Sequence, residues 1–327
     1  MENPELISAS KVIPEITKDI NNAKKRICVI STILIDDDTT EPAIKALKAA
    51  ARRGVKVKVA NDIFAYGELA KELRPFEAWK KRFNKLSGMR KSFRNNKVDF
   101  TWLGKAKFLI FTGRTHTKWV VIDDIVYCFG GINLYKIGLE TCDYFFKFED
   151  KTVANLLFET YKNILKSDKT GSGYKSHEIK HKNSKILIDG GFMSDSIIYK
   201  RACELAEKAT AATLVTQYAP YGKLAKSLKK IDSKLYFNIP DNASFLNKMT
   251  IKFGMMRSGL KTDYKRPRYI HAKFIIFTMR SGKKIAISGS HNLVSGGGLL
   301  GTREIAIETS NPNYIKQLEK FIKQEII

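Results

Sequence analysis

One local pattern is written twice in this chain of 327 residues, and it constrains the fold more than any other feature. His116-Thr117-Lys118 opens an apolar run that reaches Asp123, and Gly130-Gly131-Ile132-Asn133 follows. Later, His271-Ala272-Lys273 opens a second apolar run, followed by Gly289-Ser290-His291-Asn292. Repetition of this order predicts two similar halves that build one site between them. In a strand, side chains at i and i+2 share a face, so each histidine projects beside its lysine. The apolar runs read as buried strands, and VYCFGG and IAISGS read as the next strands, each entering a glycine turn. Such a turn lets backbone N–H groups approach an anion while Asn133 or Asn292 offers an amide. Lysine, asparagine, a glycine turn and a histidine together suit a phosphate, because a neutral imidazole can attack phosphorus or carry a proton. A lone His-x-Lys more often marks a core histidine; two copies, each with its own asparagine, argue against that.

The flanking segments repeat as well. Residues 25–34 read as a strand, 42–54 as an amphipathic helix ending at a glycine, and 55–61 as the next strand. In the second half, 197–209 reads as a helix, 212–219 as a strand, 223–231 as a helix and 234–239 as a strand. A further strand and a closing helix follow each motif, the helices at 152–165 and 312–324. Strands alternating with helices predict an α/β fold, with one mixed sheet flanked by helices in each half. Residues 166–185 are polar and rich in Gly, Ser and Lys, which predicts a linker between halves spanning 1–165 and 186–327. His177-Glu178-Ile179-Lys180-His181 in that stretch fits the zinc-protease pattern HExxH, but its flanks lack the apolar periodicity of a packed helix, and no metal is expected.

A reacting imidazole needs an acidic partner on its other nitrogen to set tautomer and orientation. Asp143 and Glu304, in corresponding strands of the two halves, are the candidates, against a reading as surface carboxylates on edge strands. His291 reads as a turn residue.

These motifs, HTKWVVIDDIVYCFGGINL and HAKFIIFTMRSGKKIAISGSHNL, resemble the paired HxKxxxxD motifs of the phospholipase D superfamily, and the GGIN tail resembles its cardiolipin synthases. The second copy departs from the pattern, with Thr278 where Asp is expected. The resemblance implies two phospholipase D-like halves related by a pseudo-twofold axis and packed into one bilobal unit. It also implies a metal-independent, cofactor-free displacement at a phosphodiester through a phosphohistidine. Carried over, the catalytic set is His116, Lys118, Asp123, His271 and Lys273, with Asp123 supporting rather than reacting. His116, in the fuller motif, is favoured as nucleophile and His271 as acid and base. Lys118, Asn133, Lys273, Ser290 and Asn292 would bind the phosphate.

Composition bounds the partners. The 58 Lys and Arg against 33 Asp and Glu leave a net +25, which suits nucleic acid or an anionic membrane, unless it reflects a lysine-rich composition bias. Cys28, Cys128, Cys142 and Cys203 show no metal spacing and read as reduced core thiols of a cytosolic protein. No apolar run of about 18 residues predicts a membrane span, and the N-terminus lacks the pattern of a signal peptide. Residues 73–94 place Phe76, Trp79, Phe83 and Phe93 at helical spacing among basic residues, the pattern of an interfacial membrane rim. Residues 245–261 repeat it before the second motif, against a reading of both as ordinary core helices. The expected function is a phosphatidyltransferase of the cardiolipin synthase type. It would act as a monomer, peripherally attached at the inner face of a membrane, with anionic phospholipid as partner. The alternatives are a hydrolytic phospholipase D releasing phosphatidic acid, a nuclease or phosphodiesterase of the same superfamily, and a lipid-binding module without activity.

Overall fold

The computed structural model describes residues 3–63, 87–104, 113–295 and 301–327. It contains two seven-stranded mixed sheets, one per half. The first holds β1 (Glu5–Ser8), β2 (Arg26–Ser31), β3 (Lys56–Asp62), β4 (Asp99–Leu103), β5 (Trp119–Ile122), β6 (Ile125–Cys128) and β7 (Tyr144–Glu149), in the order β1-β7-β6-β5-β2-β3-β4. The second holds β8 (His177–His181), β9 (Ser184–Gly190), β10 (Ala209–Val215), β11 (Asp232–Tyr236), β12 (Phe274–Met279), β13 (Lys284–Gly289) and β14 (Arg303–Thr309), in the order β11-β10-β12-β13-β14-β9-β8. In both, parallel strands of a βαβ unit (β2 and β3, β10 and β11) adjoin an antiparallel meander (β5-β6-β7, β12-β13-β14). The expected α/β halves are met, and the motif strands β5 and β12 occupy equivalent central places.

Each sheet buries both faces, which is why its central strands read as continuous apolar runs. The outer face of the first sheet is covered by α1 (Ala9–Asn22) and α2 (Glu41–Arg52), whose Val12, Ile16, Ile20, Ile44 and Leu47 are buried. Helices α4 (Ile197–Ala206) and α5 (Lys223–Leu228) do the same for the second sheet. The two inner faces share one core with α3 (Lys151–Thr170) and α7 (Pro312–Phe321). Phe321 lies between Tyr144 of β7 and Phe274 of β12, with ring centroids 5.0 and 6.2 Å away. Tyr144 and Ser288 hydroxyls are 2.7 Å apart across the halves, and Ser288 donates to the Phe129 carbonyl at 2.6 Å. Helix α6 (Phe245–Ser258) packs at the margin of the second lobe, with Ile251 buried and Met255 against that lobe's core.

Three expectations are corrected here. Residues 166–185 are not an irregular linker: α3 runs on to Thr170, stops at left-handed Gly171, and β8 pairs with β9 in the second sheet. The polar composition reflects an edge strand, whose outward side chains face water. The HExxH residues therefore lie on β8, where i and i+4 are about 13 Å apart, too far to chelate one ion. His181 instead meets Asp150 at 2.7 Å. Phe93 is fully buried and stacks on Phe100 with centroids 5.3 Å apart, because the helical stretch 87–95 packs on the first sheet; it is no part of a membrane rim. Phe76, Trp79 and Phe83 lie outside the described residues.

Candidate active site

The two histidines are brought together by backbone bridges between the halves. Arg303 N–H donates to the Arg114 carbonyl (2.7 Å) and His116 N–H donates to the Arg303 carbonyl (2.9 Å). That ladder sets the next residue, Glu304, against His116: its two carboxylate oxygens lie 2.9 and 3.0 Å from Nδ1. The other half mirrors it. His271 and Ala272 N–H donate to the Cys142 carbonyl (3.0 and 2.8 Å), and Asp143 Oδ2 then lies 2.7 Å from His271 Nδ1. Both predicted carboxylates therefore meet histidines, but crosswise: each half supplies the partner for the other's imidazole.

The carboxylates are themselves fixed. Asp143 Oδ1 accepts the N–H of Gly131 (3.1 Å) and of Tyr144 (2.8 Å). Glu304 accepts the Ser290 and Thr302 hydroxyls, the latter at 3.0 Å. Gly131 and Ser290 hold the same place in the two turns, so a backbone N–H does in one half what a hydroxyl does in the other. Burial opposes ionisation of both acids, yet His271 and Lys273 hold Asp143 below its ordinary range, and His116, His291 and Lys118 hold Glu304 below its own. Each therefore stays an acceptor for Nδ1–H, which leaves Nε2 as the free atom of each imidazole.

Burial keeps both imidazoles neutral. It lowers the His116 pKa, and burial followed by the charge of Lys273 lowers that of His271 to about 3. Lys118 and Lys273 are also buried. Burial and then repulsion from Lys273 lower the Lys118 pKa to about 7, and burial lowers that of Lys273 to about 8. Each ammonium donates to the carbonyl of the histidine two residues before it, at 2.6 Å for Lys118. Two buried cations with spare donors attract an anion. The amides of Asn133 and Asn292 each bury an oxygen with no partner among the described residues, and a half-turn of either amide would present its NH2 to a ligand.

Two site residues were not predicted in this place. His291 is buried, and its Nδ1 accepts Leu293 N–H at 2.8 Å, so the proton of the neutral ring is on Nε2, which has no partner among the described residues. After burial, its pKa responds chiefly to Glu304 and His116, so it stands beside the His116 arm of the site. It is both a turn residue and a donor there. Arg303 is buried; its guanidinium donates to the carbonyls of Gly113 and, at 2.9 Å, Ser172, with Asp168 3.5 Å away. An arginine immediately before the candidate Glu304, at the start of the strand REIAIE, was the available signal.

Two predicted site residues are placed differently. Asp123 is at the far end of β5, about 16 Å from Lys118 at the ~3.3 Å rise of a strand. Its carboxylate accepts the N–H groups of Lys24, Lys25 and Arg26 at 2.8, 2.8 and 2.9 Å, tying the β5–β6 turn to the start of β2. It is a structural clamp, not a catalytic residue. Thr278 has no such duty: β12 is longer, so Thr278 still lies in the ladder, opposite Ala211 and Lys284. Ser290 does not face a phosphate, because its hydroxyl proton goes to Glu304.

Comparison with known proteins bears on the fold. Residues 16–165 match the family described as cardiolipin synthase, PLD-like domain. No curated protein sequence matches. Among solved structures, the phosphatidylserine synthase of Haemophilus influenzae Rd KW20 aligns over 100% of this chain and 87% of its own, with 14% identity and a TM-score of 0.70. The polyphosphate kinase of Porphyromonas gingivalis aligns over 97% of this chain and 46% of its own, with 13% identity and a TM-score of 0.61. Residues 16–165 thus resemble a phospholipase D-like domain, and the chain as a whole shares its fold with the two aligned structures.

Proposed function

We propose that this chain, whose first half resembles a phospholipase D-like domain and whose second half repeats its fold and motif, is a phosphatidyltransferase of the cardiolipin synthase type. The observation that carries the reading is the crosswise pair His116–Glu304 and His271–Asp143, which leaves two Nε2 atoms free beside two buried lysines. In the proposed reaction the phosphodiester of one phospholipid enters between the lysines, with Asn133 and Asn292 donating to its oxygens. His116 Nε2 attacks phosphorus, the P–O bond to the leaving alcohol breaks, and His271 gives that alcohol its proton. The phosphohistidine then meets the hydroxyl of a second phospholipid; His271 removes its proton, a new P–O bond forms and the P–N bond breaks. Both imidazoles are neutral in the empty site, so the entering phosphate charge must raise the pKa of the one that acts as acid. The chemistry needs no metal in this scheme. The match to a cardiolipin synthase domain supports lipid over nucleic acid as substrate. A lipid substrate and a net charge of +25 support a working enzyme that lies peripherally on an anionic membrane face. No helix among the described residues is long and apolar enough to cross one.

The test is to give purified protein labelled phosphatidylglycerol vesicles in EDTA and identify the products. Cardiolipin with glycerol supports transfer, phosphatidic acid identifies hydrolysis instead, and cleavage of oligonucleotides with inert lipid overturns the lipid reading. Trapping and sequencing a phosphoenzyme assigns the nucleophile: phosphate on His271 reverses the proposed roles.

A further inference from the structure

Helix α6 has two apolar faces, and the described residues cover only one. Ile251, Gly254 and Ser258 are buried, and a β carbon on Gly254 would lie 2.5 Å from the Ala219 carbonyl oxygen, so the helix axis is pressed against the segment after β10. On the other side, Phe245, Leu246, Met249, Phe253 and Met256 are each 47–77% exposed. At about 100° per residue these five fall within roughly 100° of arc, a continuous apolar stripe. Lys248 and Lys252 border one edge of it and Arg257 the other. A soluble helix does not normally present five large apolar side chains on one face to water.

The position of the stripe says what covers it. The site residues leave one end of the second sheet: Lys273 precedes β12, Ser290 follows β13 and Glu304 is near the start of β14. Ala219 and Tyr221, against which α6 and Phe253 pack, follow the end of β10, the neighbour of β12 at that same end. Between them and the strand, the Thr216 hydroxyl donates to the Asn292 carbonyl at 2.8 Å. On the other side of the site, beyond β14, β9 ends at the same edge and is followed by exposed Phe192 and Met193. Apolar side chains thus flank the three catalytic strands on both sides at one end of the sheet. Cations border the larger stripe, and the chain carries net charge +25.

We infer that the exposed face of α6 docks on the surface of an anionic phospholipid bilayer, with Phe192 and Met193 as a second contact, so that the mouth of the site opens onto the lipid headgroups. This surface gives the proposed lipid function its partner and rests on that reading for its purpose, although docking itself requires no turnover. The depth is that of an amphipathic helix lying in the interface: apolar face among the acyl chains, Lys252 and Arg257 level with the phosphates.

The experiment compares the full chain with a Phe245→Ser, Leu246→Ser, Met256→Ser triple variant. Binding is measured by co-sedimentation with vesicles of phosphatidylglycerol in phosphatidylcholine, and with phosphatidylcholine alone. The same preparations are assayed for melting temperature, mass by light scattering and turnover of a soluble phosphodiester. The expected result is salt-sensitive binding of the native chain to the anionic vesicles and at least about tenfold weaker binding by the variant, with soluble turnover and melting retained. Equal binding by both proteins overturns the inference, as does a native chain that ignores anionic vesicles. A native dimer that the triple substitution turns into monomer, with vesicle binding unchanged, overturns it too and makes the face a self-association surface. Binding without phosphatidyl transfer leaves the docking surface standing while the proposed reaction fails; transfer on detergent-dispersed lipid without vesicle binding does the reverse.

Discussion

The Nδ1 of His116 lies 2.9 Å from a carboxylate oxygen of Glu304, a residue 188 positions further along the chain. Asp143 holds His271 in the same way from the opposite half. Neither half contains a complete histidine–carboxylate pair.

Both carboxylates should therefore behave as parts of the reaction centre. Glu304→Gln and Asp143→Asn keep shape and hydrogen-bonding capacity but let the imidazole take the wrong tautomer. Each is expected to lower kcat by about 10²–10⁴-fold with the fold retained, by analogy with the effect of losing a triad carboxylate. Steady-state rates with circular dichroism check this; either variant within a few-fold of the native rate would show that the pair is not used.

Anion affinity should weaken as pH rises. Lys118 is lowered to about 7 and Lys273 to about 8, so both are ammonium ions at pH 6, and they lose charge in turn as pH passes through those values. A dialkyl phosphinate keeps one negative charge over this range, so any change in its inhibition constant belongs to the protein. That constant should rise by roughly tenfold or more between pH 6 and pH 9. A flat profile would mean that the lysines are not the phosphate contacts.

Asp123 should matter to stability and not to rate. Burial would raise its pKa, but the N–H groups of Lys24, Arg26 and Lys25 outweigh it and hold the carboxylate below its ordinary value. Asp123→Ala leaves those donors without their acceptor and places alanine at φ 52°, where a β carbon is disfavoured. Chemical denaturation is expected to show a loss of about 1–3 kcal/mol. The kcat should stay within a factor of about three of native, and a collapse of kcat in a folded variant would return Asp123 to the catalytic set.

Gly131 should not tolerate a side chain. A β carbon there would lie 2.8 Å from Asp143 Oδ2, 2.9 Å from the His271 carbonyl oxygen and 3.0 Å from Lys273 Nζ. Gly131→Ala is expected to displace the His271 arm and lower kcat by about 100-fold or more, since misplacement of order 1 Å costs that much. Ser290→Gly in the equivalent turn removes one donor to Glu304 without intruding, and its kcat should fall less. If the two variants lose activity equally, crowding at Gly131 is not the cause.

Much of the site could be read along the chain because its information is local. The i, i+2 spacing of His116 with Lys118 and of His271 with Lys273 is a property of one strand, and so is the glycine turn that ends the next. The α/β order and the doubling followed from hydrophobic periodicity, which each sheet needs to bury its faces. Asp143 and Glu304 were recognisable as candidates because they stand at the starts of corresponding strands. Asp123 misled because its spacing from Lys118 is regular while its side chain points to β2, which sequence distance does not reveal. The stretch 166–185 misled because an edge strand facing water has the composition of a linker. In α6, apolar residues on opposite faces look alike in sequence, and only contact with Ala219 decides which face is covered.

The sequence by itself determined that there are two His-x-Lys strands, two glycine turns and two acids, because such patterns depend on residues within a few positions of one another. Which acid serves which histidine was decided only by the tertiary structure. The Arg114–Arg303–His116 and Tyr269–Cys142–His271 bridges join strands of different halves, and it is those hydrogen bonds that carry each carboxylate across the interface to the imidazole it holds.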